Sequence, residues 1–237
     1  MTLPPPPWRS APRRRAAKPA LSQASIVKAA LMILAEDGLD AVTMRRLAQS
    51  LETGPASLYA HVSNKDELAE LMLDAVLAEA PIPEPDPARW DEQVRELVRG
   101  QIRVMVAYPG IARIAWDIAV PVTPSSLRQG EAMLALLRVG GLTLEQAAFA
   151  GDALALYAKA YAYEASSWTW GDIDAAETAR RGEQMVAYMR SLPAESFPNL
   201  LDVGRFFSAD TAAARLEFAL DTYLAGLKVM AAQGAVN

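Results

Sequence analysis

Five polar side chains in one short stretch, Arg45, Ser57, Tyr59, His61 and Lys65, have the chemistry to hold a polyanion. Arginine and lysine neutralise phosphate charge, hydroxyls and an imidazole ring donate hydrogen bonds to phosphate oxygens, and the exposed face of a short helix reaches base edges in a major groove. The surrounding spacing supports that geometry. Leu47, Ala48 and Leu51 put the apolar side of a first helix on one face, while Arg45, Arg46 and Gln49 project elsewhere. Glu52, Thr53, Gly54 and Pro55 break the pattern, because glycine tolerates positive φ and proline presets φ for the first position of a new helix. A second helix of two turns is expected from Pro55 to Val62, with Ser57, Tyr59 and His61 on polar positions and Leu58 and Val62 inward. Two short helices and a tight turn make a helix-turn-helix.

At these residues the chain resembles the tetracycline-repressor (TetR) family. Thr43, Arg45, Leu47, Ala48, Leu58, Tyr59, His61, Val62, Asn64, Lys65 and Leu68 match the family's run in this region, and the similarity extends back through Leu21 to Gly38. The resemblance implies Thr43, Tyr59, His61 and Lys65 as contacts to the DNA backbone, and Pro55, Ala56 and Ser57 as base-facing positions. Pro55 and Ala56 carry no side-chain hydrogen-bonding group, so their contribution would be apolar contact with a thymine methyl. Ser57 and Arg45 are the better candidates for direct readout. One departure is local: Glu52 stands where the family usually has glycine, and Gly54 comes two residues later.

Several elements must hold such a head. Leu21 to Asp37 reads as a bracing helix, with Ser22 as N-cap, Ile26, Ala30, Ile33 and Leu34 on one side, and Gly38 as C-cap. Ser63 is the expected N-cap of a helix from Asn64 to Glu79, with Asp66 in its first turn. The alternating prolines from Pro81 to Pro87 end it. Beyond them the periodicity is helical throughout: Trp90 to Ala107, Ile111 to Ala119, Ser125 to Val139, Thr143 to Trp168, Asp174 to Leu192 and Ala209 to Gln233. Thr143 to Gln146 reads as a capping box, Ser208 as another cap, and residues 192–208 as a loop holding one short turn. The expected architecture is all-α: an N-terminal three-helix helix-turn-helix head over residues 21–66 and a larger helical ligand-binding and dimerisation domain over residues 67–237. Residues 1–20, with four consecutive prolines and the Arg13 to Arg15 run, read as a disordered basic arm.

Charge divides the chain the same way. Its net charge is −5, yet residues 1–65 hold nine Lys and Arg against four Asp and Glu, and the remainder fourteen against twenty-four. A basic end suits a polyanion and an acidic body repels it. There is no cysteine, which excludes disulfides, thiolate nucleophiles and cysteine-held metals. With a single histidine, already placed on the reading helix, and no glycine-rich phosphate loop, neither a Ser/His/Asp site nor a metal site is expected, and no cofactor is expected. No apolar run approaches the roughly 20 residues that span a bilayer, so a cytoplasmic protein with no membrane partner is expected.

Met105, Trp116, Met133, Tyr157, Tyr161 and Trp168 fall on helices that, by the family resemblance, line a central cavity, with Asp152 or Glu164 as an orienting carboxylate. Apolar pockets with a few polar groups bind hydrophobic small molecules. The family's founding member holds a tetracycline-magnesium chelate through a histidine in this region; none follows His61 here, so a metal-free effector is expected. The sequence thus reads as a homodimeric repressor of a double-stranded DNA operator, released by a small hydrophobic effector. The dimer is expected to form through the helices at Thr143 to Trp168 and Ala209 to Gln233, with Leu216, Leu220, Tyr223, Leu224 and Leu227 as the seam. A ligand-independent architectural DNA binder, and a helical enzyme or carrier with a vestigial head, are the alternatives.

Overall fold

The first helix begins with a reciprocal exchange between two serines. The Ser22 hydroxyl accepts the Ser25 N–H at 3.2 Å, and the Ser25 hydroxyl accepts the Ser22 N–H at 2.9 Å, so donors orphaned at a helix start are satisfied. In the computed structural model, which describes residues 21–118, 120, 122–167, 175–203, 206 and 211–234, the chain continues as a series of helices. They are α1 (Gln23–Asp37), a 3-10 turn (Leu39–Ala41), α2 (Met44–Ser50), α3 (Pro55–Tyr59), α4 (Lys65–Leu77), α5 (Trp90–Ala107) and α6 (Ile111–Asp117). There follow α7 (Pro124–Val139), α8 (Leu144–Ser167), α9 (Ala175–Arg190), α10 (Pro198–Val203) and α11 (Ala212–Gly234). The fold is all-α, with no strand among the described residues. The expected arm over residues 1–20, the Ser208 cap and Trp168 lie outside the described residues.

Helices α1 to α3 form the head. Ile26, Ala30, Ile33 and Leu34 of α1 are buried with Leu47 and Ala48 of α2, Leu58 of α3 and Val62 in one core. The same core runs on without interruption through α4, whose Leu68, Met72, Leu73 and Val76 are all buried, into α5, α6, α7 and α8. In the body, α5 lies at the centre, touching α4, α6, α7, α8 and α11.

Two expectations about local structure change. Asn64, not Ser63, caps α4: its side chain accepts the Glu67 N–H at 2.8 Å. The Ser63 N–H instead donates to the Glu67 carboxylate at 2.6 Å, a bond that holds the Glu67 carboxyl below its usual range. The reading helix closes at Tyr59 rather than Val62, its last turn finishing in the His61 and Val62 N–H bonds to the Leu58 carbonyl. Within residues 192–208 the expected short turn forms as helix α10.

The expected dimer seam is corrected more substantially. Leu220, Leu224 and Leu227 are buried within their own chain, and Leu216 packs partly against the same core. The periodicity was real, but its target is the body's interior, because α11 must cover α5 and satisfy its own apolar stripe first. Ion pairs then fix the register: Arg95 reaches Glu217 at 2.8 Å and Asp221 at 2.5 Å, Arg99 joins Glu217, and Lys228 reaches Asp91 at 2.5 Å. The Arg99 hydrogen bond, followed by that of Arg95, keeps the Glu217 carboxyl below its ordinary range despite some burial. The apolar face that α11 leaves outward is a different one. Phe218 is 74% exposed and Val229 58%, and Thr222 and Ala225 share their side of the helix.

A close approach holds the α7 to α8 corner against α5. A Cβ built on Gly140 falls 2.4 to 2.8 Å from the Trp90 indole, whereas one on Gly130, inside α7, meets nothing within 4 Å. Gly140→Ala is therefore expected to cost about 1–3 kcal/mol through overpacking against a rigid ring. Gly130→Ala is expected to stabilise by about 0.5–1 kcal/mol, since glycine is poor inside a helix. Denaturant titrations of both variants at one protein concentration check the pair, and equal stabilities would show that Trp90 does not pack as described.

Candidate functional site

The two short helices present one polar surface because their other side is fully committed. Leu47, Ala48, Leu58 and Val62 are buried, so Arg45, Pro55, Ala56, Ser57, Tyr59 and His61 are left on the outside. Thr43 is exposed as the N-cap of α2, its hydroxyl oxygen accepting the Arg46 N–H at 3.2 Å. Its own O–H remains available to donate to an anion. Pro55 occupies the first turn of α3 after the Gly54 N-cap, where its missing N–H costs nothing and its fixed φ suits the helix. The turn between the helices passes through Glu52 at φ 48°, the left-handed region that glycine would adopt without strain. That is the position at which the sequence departs from the family's usual glycine, and Glu52 itself takes the left-handed conformation.

Neighbouring charges distinguish the two arginines. Arg46 is paired with Asp37 of α1 at 2.9 Å, while among the described residues no ion pair involves Arg45. The loop after α3 is tied down at both ends: Gln23 of α1 donates to the His61 carbonyl at 3.3 Å, and the Ser63 bond to Glu67 anchors the other side. Lys65 is exposed on the first turn of α4. All eight residues singled out for DNA contact thus lie on the surface of the head.

The body holds a half-open cavity of about 550 Å³, walled by α4, α5, α6, α7 and α8. Its lining is mainly apolar, from Leu73 and Leu77 of α4, Met105 of α5, and Met133 and Leu134 of α7, with Glu131 of α7 and Asp152 and Lys159 of α8 as charged groups. Of the expected ligand residues, Met105, Met133 and Asp152 are in this wall. Tyr157, Tyr161 and Glu164 are not; they lie on the side of α8 that meets α11. Tyr157 stacks near Tyr161 and Tyr223, with ring centroids 6.1 and 6.0 Å apart, Tyr161 donates to the Ala212 carbonyl at 2.9 Å, and Arg215 bonds Glu164 at 2.8 Å. Burial raises both phenols above their ordinary pKa. Trp116 is 58% exposed on the far side of α6, and its neighbour Ala115 takes the place in the wall. Helix phase decides these outcomes: a one-residue shift on a helix turns a side chain by about 100°.

Two wall residues, Gln101 and Gln129, carry no signal in the sequence, since a glutamine inside an amphipathic helix is ordinary. Gln129 is nevertheless buried and hydrogen-bonded to α4. Helix α4 is also joined to α7 through Asp74, whose carboxylate accepts the Ser125 N–H at 2.6 Å, and the turn that follows it is joined to the α5 to α6 corner through Glu79, which accepts the Tyr108 O–H at 2.6 Å.

Comparison with known proteins fits this geometry. Residues 26–72 match the family described as bacterial regulatory proteins, tetR family, and residues 82–231 match the tetracyclin repressor-like C-terminal domain. A helix-turn-helix transcriptional regulator of Saccharopolyspora erythraea is 31% identical over 165 residues, 70% of each chain. Among solved structures, apo ActR of Streptomyces coelicolor is 46% identical with a TM-score of 0.78, covering 89% of this chain and 98% of that one. ActR in complex with actinorhodin gives 46% identity and a TM-score of 0.79, with 88% and 95% covered. With a reading head, a cavity-bearing helical body and family matches to both, this chain belongs to the TetR family of DNA-binding transcriptional regulators.

Proposed function

We propose that this protein is a ligand-responsive repressor: it binds a palindromic operator as a homodimer and leaves it when a small, mainly apolar molecule fills the cavity of the body. The observation that carries the reading is the placement of α4. It begins in the head with exposed Lys65 and lines the cavity with Leu73 and Leu77, so occupancy and head position act on one rigid element. A shift of α4 on filling changes the spacing of two heads, and a coupling of about 1–3 kcal/mol between the sites is typical of such a link. The binding of actinorhodin by ActR supports a small-molecule effector. The body has no histidine or cysteine to offer a metal, and release is expected to proceed without a divalent cation.

In this reading Thr43, Tyr59, His61 and Lys65 hold phosphates, while Arg45, Pro55, Ala56 and Ser57 face the bases. Arg45→Ala is expected to cost about 1–3 kcal/mol of operator affinity if it makes a bidentate contact. Lys65→Ala weakens all DNA sequences alike and lowers the salt slope by about one unit. Mobility-shift titrations at several salt concentrations measure both; unchanged affinity in Arg45→Ala, Tyr59→Ala and Lys65→Ala would remove the head from the DNA.

The dimer face is the outward apolar stripe on α8 and α11. Phe149, Leu156 and Tyr163 recur every seven residues on α8 and are exposed, Phe149 by 68%, and the Phe218 to Val229 stripe is exposed on α11, the helix bonded to α8 through Tyr161 and Glu164. Exposed contiguous apolar area on a soluble chain marks an interaction site, and two-fold pairing of this patch on itself covers it. Phe218→Arg and Val229→Arg are expected to sediment as monomers with unchanged helical content. Intact dimers from both would place the interface elsewhere.

Filling the cavity tests the effector site directly. Ala155→Trp, in the α8 wall, is expected to keep operator binding and lose release by actinorhodin, used as the probe, with or without a chelator. Release that survives this substitution, or that needs magnesium, would refute the cavity as the effector site.

A further inference from the structure

Helix α4 ends at Leu77, and a helix end leaves carbonyl oxygens without partners inside the helix. The Leu77 carbonyl accepts the Ala80 N–H at 3.2 Å in the closing turn, and Gln129 of α7, only 4% exposed, adds a side-chain donor there. Its amide nitrogen donates to the Leu77 carbonyl at 3.3 Å and to the Ala80 carbonyl at 3.0 Å. Two carbonyl oxygens around one end of a carboxamide fix which end is nitrogen, because the reverse orientation would set oxygen against oxygen. The Gln129 oxygen therefore points away from α4 and must meet a donor. Gln101 of α5 supplies it, its amide nitrogen lying 3.1 Å from the Gln129 oxygen.

That contact fixes the second glutamine as well. With its NH2 given to Gln129, Gln101 has its amide oxygen left over, and among the described residues no donor is bonded to it. Both glutamines line the cavity. The chain of polarity thus starts at backbone carbonyls that cannot be reversed and ends at an acceptor beside a mostly apolar space. An acceptor in such surroundings is matched by an O–H or N–H and repels another acceptor.

We propose that Gln101 selects effectors carrying a hydrogen-bond donor on an apolar ring system, and that Gln129 is the positioning residue that holds Gln101 in this orientation and joins the contact to the end of α4. The inference rests on the cavity being the effector site. When a ligand donates to Gln101, every bond from the ligand to Leu77 and Ala80 runs in the same direction, and bonds aligned in this way strengthen one another. Recognition at the wall is thereby delivered to the helix that carries the head.

The test compares two probes that share their rings and differ in the donor, which a methyl group replaces: 2-hydroxyanthraquinone and its 2-methoxy ether, titrated calorimetrically into the full-length protein. The hydroxy probe is expected to bind about tenfold more tightly, the worth of one buried hydrogen bond. In Gln101→Met the ratio should collapse to about one. In Gln129→Met it should collapse as well, because the Gln101 amide is then free to turn, an effect that loss of packing alone would not produce since both probes share the same rings. Equal affinities in the wild-type protein would overturn the proposal, and that comparison stands whatever the stability of the variants. A preference retained in Gln101→Met would overturn the role of Gln101, and one retained in Gln129→Met the positioning role of Gln129. Failure of both probes to bind, or equal binding of both to wild type and to Ala155→Trp, would refute the cavity reading itself and this inference with it, a result distinct from equal affinities confined to the cavity.

Discussion

Burial of α4 on both sides is the constraint on which the rest of the molecule depends. Leu68, Met72, Leu73 and Val76 are all buried, and the core they belong to passes from α1 of the head to α7 and α8 of the body without a break. A helix of this length is marginal alone in water, so its position is set by its neighbours rather than by its own propensity. Close-packed cores move between discrete arrangements rather than deforming smoothly, so a change on one side of α4 has to be answered on the other. Polar bonds tie α4 and the turn after it to the body: Asp74 to Ser125, Glu79 to Tyr108, and Gln129 to the Leu77 and Ala80 carbonyls.

The head and the body use charge for different purposes. In the head, Arg46 is spent on Asp37 while Arg45 and Lys65 stay at the surface, which leaves a basic face where a polyanion would approach. In the body, Arg95, Arg99 and Lys228 are paired with carboxylates of α11 or with Asp91, so cations there serve register rather than recognition. Exposed pairs of this kind contribute little energy individually. Their value lies in choosing one rotation of α11, which then determines that Leu220 and Leu224 go inward and Phe218 and Val229 outward.

Much of the head was legible in the sequence. Leu47, Ala48, Leu58 and Val62 are buried as their spacing required, Thr43 and Ser22 cap as their side chains allow, and Thr143 and Gln146 exchange the reciprocal bonds of a capping box at 3.2 and 2.9 Å. These are short-range matters: a cap is decided by residues three apart, and a helix-turn-helix closes over about 20 residues. Even here the limits were local competitions. Asn64 and Ser63 are both competent caps by type, and it is the Asn64 side chain that accepts the Glu67 N–H while the Ser63 N–H goes to the Glu67 carboxylate.

By itself, then, the sequence determined the helical class, the two-part division, the DNA-reading motif and the absence of cysteine chemistry, because composition and short periodicities carry that information. The tertiary structure alone decided which side of each long helix faces what. Tyr157 and Met133 are equally good cavity residues by type, yet Tyr157 turns to α11 and Met133 to the cavity. The leucine stripe of α11 was visible, but whether it met its own chain or another did not follow from its spacing, since both partners offer the same apolar surface. Gln101 and Gln129 were invisible for the same reason: a hydrogen bond between residues 28 positions apart exists only once α5 and α7 have been packed side by side.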